Sequence, residues 1–87
     1  MKKDIYFRTQ NFYLAAFLFA KRLEIVGINP IDGKRCEFVF LDTPQRETLV
    51  DAFTFGKENN DLTLVDARML ITAIKNLKDK LFSVKKN

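Results

Sequence analysis

Histidine is absent from this chain and cysteine occurs once, at Cys36. Without histidine and with one thiol, the common zinc sites and the catalytic triads and dyads cannot be assembled. A single cysteine also excludes an internal disulfide framework, and a lone thiol suits a reducing compartment, so the expectation is a soluble cytoplasmic protein. The three glycines stand alone at 27, 33 and 56, which leaves no glycine-rich loop to cradle a nucleotide phosphate. The apolar run at residues 12–20 is too short to cross a bilayer. It is followed by Lys21 and Arg22 and has no small-residue cleavage site, so it reads as a buried helix and not as an export signal or a membrane anchor.

The carboxylates Asp42, Glu47, Asp51, Glu58, Asp61 and Asp66 read as helix caps and solvated positions, because no pair of them sits within apolar shielding that would shift a pKa. No catalytic, metal-binding or cofactor-binding residue is therefore assigned, and the expectation is that the chain is not an enzyme.

What the chain does have is apolar mass in a short length. Nine of its 87 residues are phenylalanine and 47% are hydrophobic, a globular composition that fits one domain over residues 1–87, with an ordered core at about 5–82. The net charge of +4 is unevenly spread. Residues 1–40 balance to +3, residues 41–66 to −4 and residues 67–87 to +5, so one region of the chain complements the other two.

Periodicity and turn residues predict an α+β domain in the order β-α-β-β-α-α. Residues 4–7 suit an edge strand, and Thr9 offers a cap to a first helix over residues 10–22. That helix has almost no polar face, so it is either the central element of the fold or half of an interface. Residues 23–28 and 35–41 form a hairpin around Asn29, Pro30, Asp32 and Gly33, with Asp-Gly supplying the positive φ of a tight reversal. Cys36, Phe38 and Phe40 fall on one face of the second strand and are expected to pack on the first helix. Thr43-Pro44 starts a second helix that runs to Phe55 and ends at a left-handed Gly56. After a polar loop at 57–61, Asp66 caps a third helix over residues 67–82 with a seam of Leu70, Ile74, Leu77 and Leu81. A basic tail at 83–87 is expected to fray.

Residues 34–41 have a slight likeness to the base-stacking strand of RNA-recognition domains, but Cys36 and Glu37 stand where that strand carries small and aromatic residues. Phe38 and Phe40 are better read as core.

Tyr6-Phe7-Arg8-Thr9, then Leu14-Ala15-Ala16 and Leu18, then Phe38-Val39-Phe40 and a closing Leu77-Lys78 resemble a family of short prokaryotic and phage-borne proteins of unknown function. The resemblance spans residues 6–82 and implies a shared fold, with no catalytic residues to carry over. It implies a glycine soon after the first helix, where this chain has Arg22-Leu23. Occurrence in mobile elements turns the resemblance toward DNA or regulatory partners.

Two functional expectations follow. Basic residues at the ends of the first helix and at the hairpin suggest a nucleic-acid-associated or regulatory domain that contacts DNA or RNA through Lys21, Arg22, Lys34 and Arg35. The apolar excess of the first helix suggests instead a protein-interaction or homodimerisation module that uses Phe12, Phe17 and Phe19.

Overall fold

A computed structural model of the chain describes the backbone of residues 5–86 and the side chains of residues 5–83. The elements are β1 (Tyr6–Thr9), α1 (Phe12–Ala20), β2 (Ile25–Pro30), β3 (Cys36–Leu41), α2 (Arg46–Phe55), a single 3-10 turn η1 (Asp61–Thr63) and α3 (Ala67–Lys86). This is the α+β order expected from the sequence. The expected strand start at Asp4 and the side chains of Lys2, Lys3, Lys85 and Lys86 lie outside the described residues.

The three strands form one antiparallel sheet in the order β1-β3-β2, with β3 in the centre. Phe7 and Thr9 lie opposite Phe40 and Phe38 on one side, and Ile25 and Ile28 lie opposite the same two phenylalanines on the other. Strict alternation would send Ile25 and Ile28 to opposite faces. A bulge between Ile25 and Gly27 inserts one residue and returns both isoleucines to the core face.

That face packs on α1, as the aromatic alternation of β3 predicted. Phe38 and Phe40 join Leu14, Ala15, Ala16, Phe17, Leu18, Leu23, Leu49 and Leu77 in one buried cluster. The rings of Phe12 and Phe38 meet edge to face at 6.0 Å. Along α1 the residues Leu14 to Leu18 and Ala20 are buried, while Phe12 and Phe19 are half-buried and Tyr13 is exposed. The helix apolar on nearly every side is thus the element around which sheet, α2 and α3 close.

Several local devices differ from the sequence expectation. Asn11, not Thr9, caps α1: its side-chain oxygen accepts from the amides of Tyr13 (3.0 Å) and Leu14 (3.1 Å). Thr9 is the last residue of β1, and its hydroxyl instead accepts from the Asn11 amide. The start of α2 is likewise not capped by Thr43, whose buried hydroxyl has no partner among the described residues. The Asp42 carboxylate takes the Thr43 amide, and α2 begins at Arg46 after an uncapped turn at Gln45.

The hairpin reverses without any positive-φ glycine. Asp32 holds the turn by accepting from the Lys34 and Arg35 amides, both at 2.9 Å, so its side chain replaces the left-handed backbone that Asp-Gly suggested. Gly56 also is extended, with φ −68° and ψ 154°. It is needed for a different reason, since a Cβ there would collide with the Ala52 carbonyl oxygen. The left-handed position after α2 belongs to Asn59, with φ 62°. Finally, α3 is capped by Asp66, as predicted, through bonds from Arg68 and Met69, and it continues to Lys86, past the end expected at Phe82.

Candidate functional site

α1 is covered by the sheet below and by α2 and α3 on its flanks. Its remaining side faces an open groove of about 380 Å³. Ala16 and Phe17 of α1 form the floor, Ala52 and Phe53 of α2 one wall, and Leu70 and Ile74 of α3 the other. Tyr13 stands at the rim with 68% of its surface exposed, edge-on to Phe12 at 5.4 Å. The Phe17 ring lies 5.1 Å from that of Phe53, tilted by 33°, which joins floor to wall. Lys57, Glu58 and Asn59 close one end. Lys21 holds the segment before α3 in place, because its ammonium donates to the Leu64 carbonyl at 2.9 Å and sits 5.9 Å from the Phe17 ring centre.

A second groove, of about 630 Å³, lies where the C-terminal end of α1 meets the start of α3. Phe19, Ala20, Met69 and Ala73 give it an apolar base, and Arg22 and Arg68 stand on its rim. Arg68 is paired with Asp66 at 3.7 Å. Arg22 has φ 76° and closes the helix: its amide donates to the Phe19 carbonyl, and the Leu23 amide reaches back to Leu18 at 3.1 Å. This pair of bonds is the left-handed helix stop that glycine normally supplies. It explains how Arg22-Leu23 occupies the place where the resemblance implied a glycine.

The remaining predicted contact residues lie elsewhere. Lys34 and Arg35 border a shallow depression of about 240 Å³ together with Gln10, Phe12 and Leu81, at the N-terminal end of α1. Arg35 is engaged there by Asp32 at 3.0 Å. Lys21 and Arg22 are at the other end of α1, about 13 Å away at 1.5 Å of rise per residue. The four basic residues are therefore divided into two pairs by the length of the helix. Of the three phenylalanines, Phe17 is only 4% exposed and belongs to the floor of the first groove, while Phe12 and Phe19 border the other two depressions.

Sequence reasoning did not assign Tyr13, Phe53 or the loop around Asn59 to a contact surface. Tyr13 carried the available signal, since it is the one hydroxyl-bearing residue in the run at 12–20 and it marks the side of α1 that faces outward.

Among the described residues, no group of three or more His, Cys, Asp or Glu side chains is placed to hold a metal ion, and no helix is long and apolar enough to cross a membrane. The perturbed titrations belong to Asp42 and Arg46, which bond to each other at 3.0 and 3.2 Å outside both large grooves. The hydrogen bond from Arg46 holds the Asp42 carboxyl below its ordinary value, against the opposing pull of burial. The same bond raises Arg46 above its own.

No curated protein and no solved structure matches the chain. A family model does, over residues 4–83, and the chain belongs to that family, a domain of unknown function (DUF5659).

Proposed function

We propose that this chain is a non-enzymatic protein-interaction module of the cytoplasm whose contact surface is the groove on the open side of α1. The observation that carries this reading is the exposed, apolar lining of that groove: Tyr13 and Phe53 at 68% and 37% exposure stand over a floor of Ala16 and Phe17. Apolar surface gathered in one concavity and rimmed by polar residues is the usual signature of a docking site. An apolar groove flanked by two helices is the kind of surface that takes an amphipathic helix presenting its apolar stripe. The lone buried thiol of Cys36 supports the compartment.

Selection from a displayed peptide library tests it. Peptides enriched on the chain are expected to carry apolar residues at helical spacing and to lose binding to Tyr13→Glu, with the helical circular dichroism of the variant unchanged. Enriched peptides that bind this variant as well as the parent would remove the groove from consideration.

A second reading, association with DNA or RNA, draws support from the exposed Arg22 and Lys34 and from Lys75, Lys78 and Lys80 along α3. Phosphate contact weakens steeply with salt. Labelled duplex and single strands titrated at two salt concentrations decide the matter, and no retention at low salt ends this reading.

A further inference from the structure

β2 is an edge strand, and its free side opens onto a cleft. The bonds from the Leu41 amide to the Glu24 carbonyl and from the Ile31 amide to the Arg35 carbonyl fix which residues of this strand turn their peptide groups toward β3. By antiparallel alternation Gly27 and Asn29 face β3, whereas Ile25 and Ile28 aim N–H and C=O away from the sheet. Among the described residues, no backbone bond from α3 or from a loop reaches those two peptide groups. Residues Ile25–Ile28 form one wall of a cleft of about 320 Å³, and Lys80 and Ser83 of α3, both exposed, form the other.

The same flank of α3 continues along the larger groove at the C-terminal end of α1. Met69, Ala73, Asn76 and Ser83 all lie within about 60° of Lys80 around the helix axis, and the first three line that groove. Over both depressions the charged lining is Arg22, Arg68 and Lys80 against a single carboxylate, Asp66, which Arg68 engages at 3.7 Å. Arg22 and Lys80 enter none of the ion pairs among the described side chains, and Glu24 and Asp79 line neither depression.

We propose that this cleft takes a short, acidic, extended polypeptide segment, bound as a fourth strand between β2 and α3. Backbone and charge each select that occupant. The unpaired N–H and C=O groups of Ile25 and Ile28 are matched by the backbone of another extended chain, as in strand addition. Every second side chain of the added segment points to the helical side of the sheet, where Lys80 supplies an ammonium and Ser83 a hydroxyl. Arg22, three residues before β2, extends the positive lining past the start of the strand. A carboxylate placed there gains two cations that have no acid of their own. The sheet of a second copy suits this edge less well. The bulge between Ile25 and Gly27 breaks the regular spacing of the pairing groups, and Pro30 has no N–H, both of which stop open-ended pairing between sheets.

The test is selection of displayed peptides on the full chain carrying Tyr13→Glu, so that the α1 groove does not compete. Enriched peptides are expected to alternate Asp or Glu with other residues, and to shift and protect the Ile25 and Ile28 amides in the magnetic-resonance spectrum of the isotope-labelled chain. They are expected to bind Lys80→Glu about tenfold more weakly. Replacing the peptide's acidic residues by lysine is expected to restore binding to Lys80→Glu, which separates a lost charge contact from a lost fold. Enrichment of no peptide, of peptides without acidic residues, or of peptides that leave the Ile25 and Ile28 amides unprotected overturns the proposal. So does a single-stranded oligonucleotide that displaces the peptides, since it would assign Arg22 and Lys80 to phosphate. Tyr13 lines neither depression, so this cleft and the α1 groove can each fail while the other stands.

Discussion

The residues that set this fold are few, and several act by a bond that composition does not reveal. Arg22 is the sharpest case. Its left-handed φ of 76° costs a non-glycine residue about 1 kcal/mol, and its side chain is exposed with no bond that offsets the cost. Arg22→Gly is therefore expected to stabilise the chain by about 0.5 to 1 kcal/mol, the backbone strain removed exceeding the extra flexibility given to the unfolded chain. Urea denaturation measures the difference, and a variant less stable than the parent would show that Arg22 makes a contact of its own. Asn11 and Asp32 are residue-scale decisions of the same kind. In Thr9-Gln10-Asn11 two of the three side chains can cap a helix, and only the extension of β1 to Thr9 decides between them. In Asp32-Gly33 the sequence suggested that the glycine makes the turn, whereas the carboxylate does so by binding two amides.

At the scale of elements, patterning carried most of the structure. The seam of α3, the stripe of Leu49, Val50 and Phe53 along α2 and the alternation of β3 each follow from where apolar residues recur, and all were legible because burial of a helix stripe or a strand face imposes that recurrence. The bulge in β2 was not, since Ile25 and Ile28 share a face only through the register with β3. The start of α2 was misread because a local cap signal, Thr43, lost to a longer-range device. Asp42, just after β3, receives two bonds from Arg46, and the guanidinium of Arg46 lies 4.4 Å from the ring centre of Phe7 on β1. One cation thus joins three elements.

This latch predicts a pH dependence. The folded Asp42 titrates below its ordinary value, so its contribution is present at neutral pH and disappears as pH falls through the folded value. Asp42→Asn should lower stability by about 1 kcal/mol near pH 7, given that both side chains are about one quarter exposed. Parent and variant should converge as pH falls through and below the folded value of Asp42. Urea midpoints for the two proteins across that range check it, and a gap that stays constant with pH would show that the contribution is not ionic.

For the molecule as a whole, the reading of α1 was correct in outline and incomplete in one direction. A helix apolar on all sides had to be either the centre of the fold or half of an interface, and the structure makes it the centre on three sides while Tyr13 looks into a groove on the fourth. The candidate site was far less legible than the fold, because a groove is made by elements distant in sequence. Ala16, Phe53 and Ile74 have nothing in their spacing that announces a shared surface. The basic residues chosen from the sequence clustered along the chain but not in space, since α1 holds Lys21 and Arg22 apart from Lys34 and Arg35.

The account depends on α1 being sealed by sheet, α2 and α3 within a single copy, so that its open side is a surface of a finished fold and not a core waiting to form. Amide hydrogen exchange on the dilute chain tests this most directly. The amides of Ala16 to Ala20 are expected to exchange only with global unfolding, at the slowest rates in the molecule, while those of Glu58 and Asn59 exchange freely. Exchange in α1 as fast as at Glu58 and Asn59 would contradict it.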